Sequence, residues 1–247
     1  REVHDAAETV LGALQGVFVL DPIPHAMRQY VPARDDRLRR QADNLSAVLG
    51  RLFQDEDVYA QLLEMARSLS ESRIESMTTE ASTLGDLMLV QREVVGEVEA
   101  RVPARLMSDG TLRVLAILAA LFETSVDAEP PAHDVGAATT LVIEEIENGL
   151  HPSQAAAMVA RVIEESRAQK IRTLATTHSP AMLDALPGAD HEGVLVCLRD
   201  DEGWTRLQPL TALPNYFSVV AGGTIGSAAV QDRLRPSTGQ RTPSELI

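Results

Sequence analysis

Three short segments hold residue types that can do chemistry together. In the run Glu144-Glu145-Ile146-Glu147-Asn148-Gly149-Leu150-His151-Pro152, three carboxylates follow directly on the apolar stretch Leu141-Val142-Ile143. Carboxylates at the carboxyl end of a buried parallel strand stand where such sheets place ligands. One can hold a hard divalent cation through its water shell, and the next, on the opposite side of the strand, can polarise an attacking water. A solvated acidic turn after a core strand accounts for the same residues. In Leu106-Met107-Ser108-Asp109-Gly110-Thr111-Leu112-Arg113, Ser-Asp-Gly precedes an apolar run. That is an ordinary helix cap. It is also an anion site, because free N–H groups and the positive end of a helix dipole converge there. In Thr176-Thr177-His178-Ser179-Pro180, His178 stands at the end of an apolar strand pattern, where a histidine is commonly structural.

The elements that must position these segments can be read from periodicity. Leu141 to Ile143 is a continuous run suited to a strand buried on both faces. Ser108 is expected to open a buried helix running to about Thr124, and Ser153 to Lys170 carries Ala155, Met158, Val159, Val162 and Ile163 on one helical face. Ile171 to Thr177 reads as the next strand, and Pro180 sits at the first position of another helix. Strand, helix, strand, helix is the pattern of parallel crossovers. Upstream, Leu45, Val48, Leu49, Leu52 and Phe53 follow Asp43 as a plausible cap, and Asp55 can cap a helix carrying Val58, Leu62, Met65, Ala66 and Leu69. Residues 43 to 70 therefore predict a helical hairpin, and 74 to 102 two or three strands. Ser125 to Ala138, with Pro130-Pro131, reads as a long surface loop. Val194 to Leu198 and Thr205 to Leu210 flank a turn-rich tetrapeptide and predict a β-hairpin. The signal fades beyond Pro214, and Pro236 to Ile247 reads as a loose tail.

Composition fits this plan. A chain of 247 residues with 45% hydrophobic content can bury a core, and with only 3% aromatics that core must be aliphatic, which favours helices and buried parallel strands. Cys197 is the sole cysteine, so an intrachain disulfide is excluded and a cytoplasmic, reducing setting is expected. The longest apolar stretch, Val114 to Phe122, is far short of the ~20 residues that span a bilayer, so no membrane partner is expected. A formal charge of −14 argues against nucleic-acid binding by the chain as a whole, since phosphate contacts need a local basic excess. Any such contact would need a local patch or a partner.

The apolar strand, paired acids and Glu-Asn-Gly-Leu-His-Pro resemble the Walker B and D-loop pattern of ABC-type ATPases of the SMC/RecF/OLD-like branch, a group of bacterial AAA-family ATPases. Ser108-Asp109-Gly110 resembles the signature motif of that branch, and Thr176 to Pro180 its switch, or H-loop. The order of the three segments is the family's order, and the resemblance is densest over 106 to 186. It implies ATP and Mg²⁺ as cofactors, with Glu144 at the metal-linked position and Glu145 as general base. It further implies that Ser108, Asp109, Gly110, Asn148 and Gly149 approach nucleotide, and that His178 senses the γ-phosphate. In the family the signature motif serves the nucleotide of the opposite subunit, which implies a head-to-tail homodimer around ATP. Glu144 stands where the wider class usually has Asp, and Ile146 where it often has Pro.

The fold expected is α/β: a sheet domain of ABC type with parallel strands flanked by helices, plus helical and short-strand subdomain material. The expected division is 1 to 105 for the subdomain, 106 to 213 for the catalytic lobe and 214 to 247 for the C-terminal segment. No Gly-x-x-x-x-Gly-Lys-Ser/Thr occurs, and the only lysine, Lys170, has no glycine beside it. The N-terminal lobe bearing the phosphate loop is thus expected to lie outside this chain. ATP-driven dimerisation, serving a nuclease or other effector in a nucleic-acid-directed or defence-type complex, is the function the resemblance implies. An inactive ATPase-like scaffold and a metal-dependent nuclease built on Glu144, Glu145 and Glu147 are the alternatives.

Overall fold

The computed structural model describes residues 2–70, 72–126, 140–200 and 202–235. They form two compact units, 1–177 and 178–247.

The first unit opens with α1 (Glu2–Gln15) and β1 (Val17–Leu20), followed by the single-turn α2 (Pro24–Met27) and the two-residue β2 (Val31–Pro32). The expected helical hairpin is present as α3 (Leu45–Leu52) and α4 (Glu56–Leu69). Asp55 caps α4 as its position predicts, accepting from the Asp57 and Val58 N–H groups. Asp43 does not cap α3; Asn44 occupies that place, and its side chain serves the preceding loop instead. Fully buried, Asn44 donates to the Asp35 and Arg37 carbonyls and accepts from Arg39 N. A side chain turned toward three backbone groups of a tight loop is turned away from the helix end.

Residues 73–103 form a meander of three strands: β3 (Arg73–Ala81), β4 (Asp86–Val95) and β5 (Val98–Pro103). β3 pairs along β4 from Leu87 to Val94, β5 takes Val90 to Val95, and β2 takes the Asp86–Leu87 end. Leu89 and Val90 in β4 are completely buried. A 3₁₀ turn at Ala104–Leu106 leads into α5 (Asp109–Val126), slightly longer than its pattern predicts. Its Leu112, Leu115, Ala116, Leu118, Ala119 and Leu121 are all buried, as the near-continuous apolar run requires.

The sheet that carries the acids is parallel, in the order β1, β6 (Thr140–Ile143), β7 (Arg172–Ala175), with α6 (Pro152–Ala168) between β6 and β7. Leu20 lies opposite Ile143, and Ile143 opposite Ala175. Leu141 and Ile143 are buried while Thr140 and Val142 are half-buried, so β6 is less enclosed than its sequence suggests. β1, which the sequence pattern does not single out, is the second neighbour of the acid-bearing strand. At four residues it is too short to show a periodicity.

The second unit contains α7 (Pro180–Ala185), the predicted hairpin β8 (Leu195–Arg199) and β9 (Thr205–Pro209), then α8 (Tyr216–Gly222) and α9 (Ile225–Val230). Leu210, Leu213, Val219, Ile225, Ala228 and Leu234 form its core. The two last helices lie where the sequence signal fades, each too short for a clear stripe. Most of the long loop expected at 125–138, from residue 127 on, and the tail at 236–247 fall outside the described residues. Among the described residues no helix is long and apolar enough to cross a membrane.

Candidate active site

The acidic turn grows out of the sheet by hydrogen bonds that extend the ladders past the end of β6. Glu144 N donates to Leu20 O (3.1 Å), and Thr176 N donates to Ile143 O (3.0 Å). At Glu145 the backbone turns into the left-handed region, with φ 48°. This conformation costs a non-glycine residue on the order of 1–2 kcal/mol and persists only where neighbours enforce it. The neighbours here are Thr176, whose Oγ1 accepts from Glu145 N (2.9 Å), and whose carbonyl accepts from Ile146 N (3.1 Å). Asn148 closes the turn from the other side. Its N–H donates to Glu145 O, and its side-chain amide donates to Glu145 Oε2 (3.1 Å). The Glu145 side chain therefore projects into solvent with one oxygen held.

Glu144 lies differently. Arg40 Nη2 donates to its Oε1 at 3.0 Å, both groups being about half exposed. Arg40 belongs to the loop between β2 and α3, which is fastened to the end of β1: Asp21 N donates to Arg40 O, and Ile23 N to Gln41 O. Buried Asn44 stitches that loop, and Glu123 of α5 holds it from below. Both Glu123 oxygens accept from Leu38 N, and one accepts from Arg51 Nη2 (2.9 Å). Burial raises the Glu123 carboxyl above its ordinary value; the Leu38 N–H and the Arg51 guanidinium offset this only in part.

The second segment is a cap first. Ser108 Oγ accepts from Thr111 N (3.0 Å) and shares a hydrogen bond with Thr111 Oγ1 (2.8 Å). Arg28, at the end of α2, clamps the segment by donating to Met107 O (2.8 Å) and Asp109 Oδ1 (2.6 Å). Gly110 packs against the acidic turn's last residues so closely that a Cβ built on it would collide with the Gly149 carbonyl oxygen. Gly149 itself has φ 77°, where only glycine is at ease. His151 then caps α6 in a reciprocal box: its Nδ1 accepts from Ser153 N, and Gln154 Oε1 accepts from His151 N.

The structure thus brings Glu145 to Asn148 and Gly110 to Gly149. Among the described residues, no hydrogen bond or ion pair joins Ser108 or Asp109 to Glu144 or Glu145. His178 is exposed and opens the second unit, just before Ser179, which caps α7. Three residues that sequence reasoning leaves without a role, Arg28, Arg40 and Thr176, contact the candidate residues directly. Arg28 and Arg40 are separated from their partners by 81 and 104 positions, and no local spacing could pair them. Among the described residues no three His, Cys, Asp or Glu side chains converge on a common metal position. A lone, half-exposed carboxylate fits Mg²⁺, which is commonly bound through one or two carboxylates, retained waters and substrate phosphates.

An acid turn on a parallel strand, a capped helix start touching that turn, and a following strand that fixes it make up the candidate site of an α/β sheet domain. Residues 18–184 match the family described as "AAA domain, putative AbiEii toxin, Type IV TA system", and the chain belongs to that family. Among curated proteins none matches. Solved structures with a similar fold include one described under ATP-driven dimerization and DNA-stimulated activation of SMC ATPases (14% identity, 78% of this chain and 99% of that one, TM-score 0.45). A second is the Smc head domain with an extended coiled coil bound to the C-terminal domain of ScpA, from Pyrococcus furiosus (14%, 67% and 38%, 0.45). A third is an Smc head bound to the C-terminal winged-helix domain of ScpA (15%, 78% and 55%, 0.49). The chain therefore spans nearly all of the first and about half or less of the other two.

Proposed function

We propose that this chain carries the signature and hydrolysis residues of a composite ATP site completed by a second copy. The observation that carries the reading is the Glu144-Glu145 turn, where a left-handed backbone aims two successive carboxylates apart and Thr176 and Asn148 hold the second. In this reading Glu144 binds Mg²⁺ through its water shell. The cation would neutralise charge on the nucleotide's phosphates. Glu145 orients and polarises the attacking water and Asn148 keeps its carboxylate in place; a γ-phosphate-sensing role for His178 rests on the motif resemblance alone. The start of α5, with Ser108, Asp109 and Gly110, faces the γ-phosphate bound by the other subunit. No phosphate-loop pattern occurs in these 247 residues, so this reading requires a cradle for the β- and γ-phosphates supplied from outside them. In functional terms β1 joins residues 106–177 in the sheet that carries the acids, and the remainder of 1–105 supplies the helical and short-strand material around it. A defence-type effector is the beneficiary this reading takes, beside a family description that names a putative toxin of a Type IV TA system.

The test is Glu145→Gln in the intact protein. The amide is isosteric and can still pair with Asn148, so nucleotide binding should persist while steady-state phosphate release falls by on the order of 10²-fold or more. The nucleotide-bound dimer should accumulate. Unchanged turnover removes Glu145 from this role.

A further inference from the structure

Beside the signature turn lies a cleft of about 610 Å³, walled by α4, β4, the start of α5 and the start of α6. Leu69, Ile74, Val102 and Leu115 supply apolar wall; Gln91 and Glu93 of β4 supply the polar floor. Gln91 is only 3% exposed, an unusual residue for the middle of a core strand flanked by buried Leu89 and Val90. Its amide nitrogen donates to Glu93 Oε2 at 2.9 Å. That contact fixes the amide's orientation, because a carboxylate only accepts and the reverse orientation would set two acceptors together. Gln91 Oε1 is therefore left as an acceptor, and among the described residues it has no hydrogen-bond partner. Burying such a group unsatisfied is costly, and a leucine or methionine would fill the same space without that cost.

We infer that this cleft is a socket for an arginine side chain presented by a partner polypeptide. The floor offers a neutral acceptor and a carboxylate on one strand face, brought side by side by the 2.9 Å hydrogen bond from Gln91 Nε2 to Glu93 Oε2. A guanidinium carries five N–H donors in a planar fork, so one group can serve both acceptors, whereas an ammonium is a point charge. The aliphatic walls suit the arginine's methylene stem. Charge argues for a basic occupant: a chain of net charge −14 with a carboxylate on the cleft floor draws in a cationic side chain from a basic partner surface. Ser108, Gly110, Thr111 and Gly149 also line the cleft, so its occupant lies directly against the signature and acidic turns. The socket itself does not depend on the ATPase reading; only a coupling of its occupancy to turnover would.

The probe is N-acetyl-L-arginine amide, titrated into the intact protein and followed by the side-chain amide resonances of Gln91. N-acetyl-L-citrulline amide, nearly the same shape without the charge, is the control. The arginine amide should shift those resonances saturably in the millimolar range, and the citrulline amide should bind at least about tenfold more weakly. Gln91→Met and Glu93→Gln should each weaken the arginine amide by about tenfold. Their melting temperatures, unchanged or raised, would show that the loss is not misfolding. Absence of saturation, equal binding of the two amides, or binding indifferent to both substitutions would overturn the socket. Loss of ATP turnover in Glu145→Gln leaves this titration untouched, so the two readings fail separately.

Discussion

The signature turn and the acidic turn touch at Gly110 and Gly149, yet they are held in place by opposite means. The first is fixed by exclusion: Gly110 has no room for a Cβ, Ser108 caps its own helix, and the partly buried Arg28 clamps Met107 and Asp109. The second is held by a few exchangeable hydrogen bonds around an exposed, left-handed Glu145, with Arg40 resting on Glu144 in water. A surface ion pair of that kind contributes little to stability, with a median of about 0–1 kcal/mol. One region is locked by packing; the other is held by solvent-exposed hydrogen bonds that a phosphate or cation could compete for. The locked one is where a subunit or effector should read the site, and the exposed one is where chemistry should occur.

The sharpest way to break the comparison is Gly110→Ala. If sterics fix the signature turn, the added methyl must push α5's first turn away from Gly149. Misplacing a catalytic segment by about 1 Å costs on the order of 10²-fold in turnover. The thermal midpoint should fall as well, since overpacking costs about 1–3 kcal/mol. A silent Gly110→Ala would mean that the contact is slack.

The next experiment asks whether the two turns act in the same site or in opposite ones. Ser108→Arg and Glu145→Gln protomers, each inactive alone, are mixed under conditions where subunits exchange. Across a head-to-tail dimer one composite site carries both lesions and the other none, so part of the activity should return. A mixture as dead as its components, with exchange demonstrated, rules out the trans arrangement.

Thr176→Val probes the acidic turn. It keeps the side chain's shape and removes the oxygen that accepts from Glu145 N. Turnover should fall about 10- to 100-fold, with a stability cost of only about 0.5–1.5 kcal/mol, and Thr176→Ser should restore both. Equal losses of stability and turnover would make Thr176 an ordinary structural residue.

The last effect, on stability and not on turnover, concerns the loop that brings Arg40 to Glu144. Because burial holds the Glu123 carboxyl above its ordinary value of 4.5, the folded state binds its proton more tightly than the unfolded chain does. Its contribution is full below that ordinary value and is lost as pH rises through the higher folded one. Glu123→Gln should flatten this part of the stability profile. Glu123→Ala, which strips Leu38 N of its acceptor, should cost about 1–3 kcal/mol at neutral pH in a denaturant titration.

What the sequence revealed and what it hid follow one division. Caps such as Asp55, Ser108 and Ser179 act within three residues, and the helices and hairpin they punctuate have visible periods, so these elements could be read directly. The acids were legible because a parallel strand has a chemically meaningful end. The contacts that orient them were not. Arg28, Arg40 and Glu123 work across the fold; Asp43, the expected cap, yields that place to Asn44, whose side chain serves a loop; Gln91 looks like one more residue of a strand until its buried oxygen is considered. Long-range polar pairing leaves no periodic trace, and neither do β1, α8 and α9, which are too short to carry one.

The left-handed backbone at Glu145 also bears on how this protein should be engineered. Glycine and asparagine relax at a φ of 48°, whereas glutamate does not. A screen that rewards heat resistance alone should therefore enrich Glu145→Gly and Glu145→Asn, and return sturdier proteins without the carboxylate proposed to activate water. Selection for thermal resistance and selection for turnover pull this one codon in opposite directions.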